Sequence, residues 1–372
     1  MCSIKMSRAV FTAVFVSIFY LAKVAINDLA VADGLFGTLQ EQLRGEPIQF
    51  TSLKFLDGLL TMLVRFFQPI LTGKDPALSL FCIFMAGQLL AVHVLVQVEG
   101  LRAGNRGKLI SFTTYWGVGW QLCTVGATLP IYFLLYIHTS PIPDTFGADA
   151  FASAISIDPV QARAVLGSLA LGAILPTLLA ALPSPNLITP HTQEVFLAIW
   201  QAFPLWSGIA QFILSQVIGV LGVLPKAKRP TAQSKINDLR RIYTFTLAIV
   251  ALVSYGVVGY VFWTSKWASQ PAIEALKDML IPPSPFSKAR MASVERGTLA
   301  FLQWDMCCAS LATWSWIMYM AYQRKGVGGA VMGFVKLVMW SAVVGPGGAT
   351  LAVVWGRDVE SLKDGGGKRK TG

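Results

Sequence analysis

Eight stretches of this sequence run for about twenty residues or more with hardly a charge: 9–26, 77–98, 109–137, 162–183, 195–223, 242–263, 298–322 and 329–355. A bilayer core about 30 Å thick is crossed by roughly 20 apolar residues in helical form. Inside lipid the backbone has to satisfy its own hydrogen bonds, which leaves helices or closed barrels. These stretches are too long for barrel strands of about 10 residues. The expectation is an all-α, polytopic integral-membrane helical bundle with about eight transmembrane helices. Composition agrees: 54% of residues are hydrophobic and 13% charged, against about 25% charged in soluble domains.

The net charge of +11 would suit a nucleic-acid partner if it were gathered in one region. The Lys and Arg residues instead flank the apolar runs, where they snorkel or meet lipid headgroups, so membrane lipids are the expected contact and no nucleic acid is. The five cysteines, Cys2, Cys82, Cys123, Cys307 and Cys308, show neither CxxC nor paired-His spacing, which supports no disulfide framework and no zinc site. The first apolar run follows Lys5 and Arg8 without a clear small-residue cleavage site, so it reads as a retained anchor. One transmembrane domain, 1–355, is expected, followed by a disordered polar tail, 356–372, that ends DGGGKRKTG. A cytoplasmic N-terminus puts 102–108 and the tail on the cytoplasmic face. It also puts KAKRP (226–230) and Arg240–Arg241 on the opposite face, against the positive-inside rule.

SLKFLDGLLTMLVRFFQ, 52–68, is short and charged for a span. Ser52 can cap it and Pro69 can stop it. Asp57, Thr61, Arg65 and Gln68 form one polar stripe on an apolar helix, which predicts an interfacial or re-entrant helix.

Ionisable groups at membrane depth are costly and point to function. The candidate acids are Asp305, Glu99, Glu194 and Asp57. Asp305 lies about 10 Å into its span at 1.5 Å per residue. Phe301, Cys308, Ala309, Ala312 and Trp316 share its face, an arrangement that predicts a pocket with the acid near its mouth and Trp316 as its floor. The alternative is a carboxylate paired with Arg or Lys from a neighbouring helix. Glu99 can pair with Arg102 at i+3, while His93 and Gln97 form a separate i, i+4 pair. Glu194 opens the fifth span, where a carboxylate favours the helix dipole. Gln201 and Gly208 lie on its face, and Pro204 is expected to kink the helix.

Aromatic residues gather near these acids. Trp116, Trp120, Trp200, Trp206, Trp304 and Trp316, with Gln201 and Gln303, are the candidate substrate-binding residues. Trp263 and Trp267 read as an interface belt. Rings facing a cavity attract a carbocation, by about 2 kcal/mol or more each when desolvated. There is no DDxxD, DxxxD pair or DxDD to hold Mg²⁺ for diphosphate ionisation, so no metal and no cofactor are expected. GxxxxGK[ST] and GxSxG are absent too, which argues against nucleotide and serine hydrolysis.

VEGLRAGNRGK after the second run, PSPNLITPHTQEVFLAIWQAFPLW, and FLQWD at the seventh resemble the membrane-bound ascofuranone-type (AscI-like) terpene cyclases of fungi, over about 50–355. That family includes related proteins of indole-diterpene gene clusters. The resemblance implies an enzyme that cyclises the prenyl chain of a hybrid metabolite, often after epoxidation, and so a lipophilic prenylated substrate. It also implies an endoplasmic-reticulum membrane and pathway enzymes as neighbours. On it, Asp305 becomes a proton donor, since a carboxyl walled by apolar groups can hold its proton near neutral pH. A transporter for a small lipophile, favoured by the broken run VVGPGGA at 343–349, and a non-catalytic membrane scaffold stay open as alternatives.

Overall fold

A computed structural model describes residues 2–45, 47–221, 231–266 and 271–367. Among them the chain is all-helical, and a lone antiparallel bridge joins Arg102 to Ile157. Helix α1 (Cys2–Ala22) continues through a π-turn into α2 (Leu29–Ala32), and α3 (Leu35–Gln42) follows. Next come α4 (Lys54–Leu71), α5 (Pro76–Leu101), α6 (Thr113–Cys123), α7 (Val125–Thr139) and the short α8 (Ala148–Ala154). Helix α9 (Pro159–Leu169) runs through a second π-turn, Ala170–Ile174, into α10 (Leu175–Ala180). The rest is α11 (Pro190–Gln201), α12 (Phe203–Val220), α13 (Ala232–Thr264), α14 (Ala272–Leu280) and α15 (Val294–Gly367).

Among the described residues, six helical stretches are long and apolar enough to cross a membrane: Lys5–Ala32, Pro76–Leu101, Pro159–Ala180, Phe203–Val220, Ala232–Thr264 and Val294–Gly365. One core joins α1, α5, α7, α9, α13 and α15, which contribute Phe15, Leu95, Phe133, Val165, Tyr243 and Trp316. Helix α5 is the most buried of the six stretches. Asp75 starts it by accepting the Ala77 and Leu78 N–H groups, the two first-turn donors that lack helical partners.

Several apolar runs are broken where the sequence reads as continuous. The run 109–137 divides into α6 and α7 at Thr124, whose φ is 69°. The run 195–223 divides at Ala202, two residues before Pro204, so Gly208 is on a different helix from Glu194 and Gln201. Within Val294–Gly367 the backbone leaves helical angles at Lys325 and Gly326 and again at Gly345, with φ of 62° and 77° at the two glycines. The chain folds back at the first break, and the rings of Trp314 and Phe334 meet at 6.2 Å. The second break is filled by Gln88 of α5. Its Nε2 donates to the Val344 carbonyl and its Oε1 accepts the Gly347 and Gly348 N–H groups, which satisfies backbone that the break exposes.

Helix α4 is not among the stretches apolar enough to cross a membrane. It starts after Leu53, not Ser52, and runs through Pro69 to Leu71. Its polar stripe does not face lipid: Asp57 and Thr61 are buried, and Arg65 reaches Glu194 of α11. Past 355 the helix continues to Gly367 with Arg357 and Asp358 turned inward, so 356–367 is not the disordered tail expected. KAKRP at 226–230, Trp267 and residues 368–372 lie outside the described residues.

Candidate functional site

The four candidate acids occupy four different environments. Asp57 anchors a loop: its Oδ1 accepts the Phe50 and Thr51 N–H groups at 3.1 and 2.7 Å and the Thr51 hydroxyl at 2.9 Å. Glu194 is partly buried, 3.4 Å from Arg65 and 3.7 Å from His191 Nδ1.

Glu99 ends α5 inside an ionic cluster that is fully buried except for the partly exposed Arg357. Arg357 donates to its Oε1 at 2.8 Å and the Tyr136 hydroxyl to its Oε2 at 2.8 Å. Arg102 Nε is 2.8 Å from Oε1, an ion-pair contact outside hydrogen-bond alignment. Arg102 also donates to Asp358 at 2.8 Å and to the Ile155 carbonyl at 2.7 Å, and the Tyr243 hydroxyl donates to Asp358 at 2.6 Å. Burial alone would lower the pKa of Arg102, but the charges of Asp358 and Glu99 outweigh it and hold the guanidinium well above its ordinary value. The i+3 pairing of Glu99 with Arg102 is thus present. Sequence reasoning missed Arg357, Asp358, Tyr136 and Tyr243; the signal for the first two was a charge pair directly behind the last apolar run.

Asp305 has no Lys, Arg or His partner among the described residues. The turn at Thr124–Gly126 wraps its carboxylate, with the Gly126 N–H 2.5 Å from Oδ1. It therefore sits at the N-terminus of α7, where free N–H groups and the helix dipole favour negative charge. The expected open pocket beside it is not formed. Cys308, Ala309 and Ala312 are buried, and a methyl group at Gly126 would lie 2.7 Å from the Asp305 carbonyl oxygen, so α7 and α15 touch there. Trp316 is fully buried, stacked on Phe133 at 5.2 Å, and Arg357 lies over its ring at 5.6 Å. It floors the ionic cluster and not a space near Asp305.

The remaining candidates divide between anchors and loose polar groups. Gln303 donates to the Asp278 and Met279 carbonyls, which fastens α14 to α15, and Trp304 donates to the Pro283 carbonyl. Trp116 donates to the Leu109 carbonyl, Trp200 to the Thr177 hydroxyl and Trp206 to the Ile199 carbonyl. Trp120 and Gln201 are different. Both are buried, and the Trp120 Nε1 and both Gln201 amide atoms have no hydrogen-bond partner among the described residues.

A cavity of about 390 Å³ opens between α5, α6, α9 and α12, lined by His93, Gln97, Thr114, Gln161, Ser207 and Gln211 among others. The i, i+4 pair His93 and Gln97 is the part of it that the sequence showed. Asp305 does not line it. The two places meet on α6: Thr113 and Thr114 at its start line the cavity, and Val125–Gly126 just past its end hold Asp305. Trp120, between them, packs edge-on against His93 at 5.9 Å.

The described residues contain no group of three or more His, Cys, Asp or Glu side chains placed to share a metal ion. A family model described as the CtvD domain matches residues 6–360. Terpene cyclase ascI of Acremonium egyptiacum is 31% identical over 322 residues, which cover 83% of this chain and 79% of that protein. Terpene cyclase atmA of Aspergillus flavus is 23% identical over 94% of this chain and 95% of its own length. Terpene cyclase ctvD of Aspergillus terreus is 26% identical over 81% and 82%. No solved structure matches the chain.

Proposed function

The chain belongs to the CtvD-domain family, and from that premise we propose that it is an integral-membrane terpene cyclase in secondary metabolism, which closes the prenyl chain of a meroterpenoid or indole-diterpene intermediate by proton-initiated cyclisation. The relatives named terpene cyclase and the apolar helices support the activity and the membrane setting. We take the membrane domain as eight crossings. These are the six long apolar stretches, the α6–α7 pair as a seventh, and an eighth gained by dividing Val294–Gly365 at Gly326. Helix α4 rests at the bundle edge, and the membrane is the endoplasmic reticulum.

The observation that carries the mechanism is Asp305. It is a buried carboxyl with no cation beside it, so its neutral form costs no ion pair. In the proposed reaction α7 and α15, which touch at Gly126 and Asp305, part to admit the prenyl chain, and the carboxyl proton passes to its epoxide oxygen. The C–O bond opens toward the more substituted carbon, and the π electrons of the next alkene close the ring. The carboxylate left behind is stabilised by the Gly126 N–H at the start of α7. Loss of a proton from the final cation completes the product, and Asp305 is reprotonated. The rings of Trp116 and Trp120 on α6 are the ones we assign to the cationic intermediates.

The test is product analysis of microsomes carrying the full chain, fed epoxyprenyl phenols and epoxyprenyl indoles. A cyclised isomer of the substrate is expected, and turnover should survive EDTA. Unchanged substrate with both classes, or turnover lost to EDTA and restored by Mg²⁺, would overturn the reading.

A further inference from the structure

The cavity between α5, α6, α9 and α12 holds polar atoms that the protein does not satisfy. His93 Nε2, Gln97 Oε1 and Ser207 Oγ are buried without a hydrogen-bond partner among the described residues. The three residues are 7%, 5% and 2% exposed, and all of them line the cavity. Such groups at membrane depth are costly unless something else bonds to them.

Gln97 is the most informative of the three. Its Nε2 already donates to Ser168 Oγ at 3.0 Å and to Gln211 Oε1 at 3.3 Å, which fixes the amide orientation and leaves the carbonyl oxygen as the free end. That oxygen can only accept. The site therefore asks for a donor. Ser207 is held in place by backbone contact, since a methyl group at Gly172 in the π-turn would lie 2.2 Å from the Ser207 nitrogen. The wall is thus fixed before a ligand arrives. Phe212 and Gln216, both exposed, stand at the outer margin.

We propose that this cavity takes the hydrogen-bond-donating head of the lipophilic substrate, an O–H or a ring N–H. Gln97 Oε1 accepts its proton, and Ser207 and His93 bond to the remainder of the head. The assignment rests on the cyclase reading for the identity of the ligand as a prenylated molecule. It separates head recognition, at the start of α6, from the acid at the far end of that helix.

The experiment is equilibrium binding of three probes to the full chain in detergent: a farnesylated phenol, 3-farnesylindole and farnesylbenzene. At least one donor-bearing probe should bind about tenfold tighter than farnesylbenzene, since the latter leaves buried polar atoms unpaired. The phenol and indole arms tell O–H from N–H. Ser207→Ala, which keeps the packing at Gly172, and His93→Phe should each shrink that contrast without weakening farnesylbenzene. Equal affinity for all three probes, or a full contrast in both variants, would overturn the assignment and leave these atoms as sites for solvent only. Cyclised product from the epoxide of the tighter probe is scored in the same wild-type preparation. A binding contrast without product supports the cavity assignment and counts against the cyclase reading alone.

Discussion

Glu99 and Asp305 are both buried carboxylates on helices that pack together, and nearly everything around them differs. Glu99 and Asp358 face Arg102 and Arg357, two negative charges against two positive, with the hydroxyls of Tyr136 and Tyr243 completing the set. Protonating either carboxylate there would strand a buried guanidinium. Asp305 meets a backbone turn and no cation. Burial alone therefore does not mark an acid as reactive. What decides is whether an opposite charge depends on its ionised form.

The largest loss of stability is expected where that dependence is greatest. Arg102→Met leaves Glu99 and Asp358 undercompensated, and breaking a buried pair costs about 3–5 kcal/mol. Thermal unfolding in detergent should show a large fall or no folded protein. Wild-type stability in this variant would erase the contrast between the two regions.

Asp57 should fall in between. Asp57→Ala abandons the N–H groups of Phe50 and Thr51, a cap-like loss of about 1–2 kcal/mol. Asp57→Asn keeps an acceptor oxygen and should be close to wild type in both stability and turnover. Turnover lost by a stable Asp57→Asn would move this residue into the class of Asp305. The smallest effect belongs to Glu194→Gln, because the Arg65 contact is 3.4 Å long and both side chains are partly exposed. A change of no more than about 1 kcal/mol is expected in the unfolding scan, with turnover kept. A stable Glu194→Gln without turnover would instead mark it as a second reacting acid.

The division between these regions was partly legible in the sequence. Long uncharged runs specify membrane helices because lipid leaves the backbone no other partner, and VVGPGGA at 343–349 foretold the break at Gly345. The break at Thr124 could not be read, since a β-branched residue is among the least expected at positive φ. Asp305 and Glu99 stood out as charges at membrane depth, but the sequence could not say which had an arginine. That depended on Arg357 and Asp358, which are 258 and 259 residues beyond Glu99 in the chain and fall in a stretch that reads as tail. The cavity was half visible: His93 and Gln97 recur at i, i+4 on one helix, whereas Ser207 and Gln211 come from another and acquire meaning only when α5 and α12 meet.

If Asp305 supplies the proton, turnover per folded molecule of Asp305→Asn reads that out. The amide preserves size and can still accept the Gly126 N–H, but it has no acidic proton. Wild-type unfolding behaviour is expected, with turnover down by about 10²–10⁴-fold, the usual worth of a general acid. Near-normal turnover by a well-folded Asp305→Asn would contradict that role.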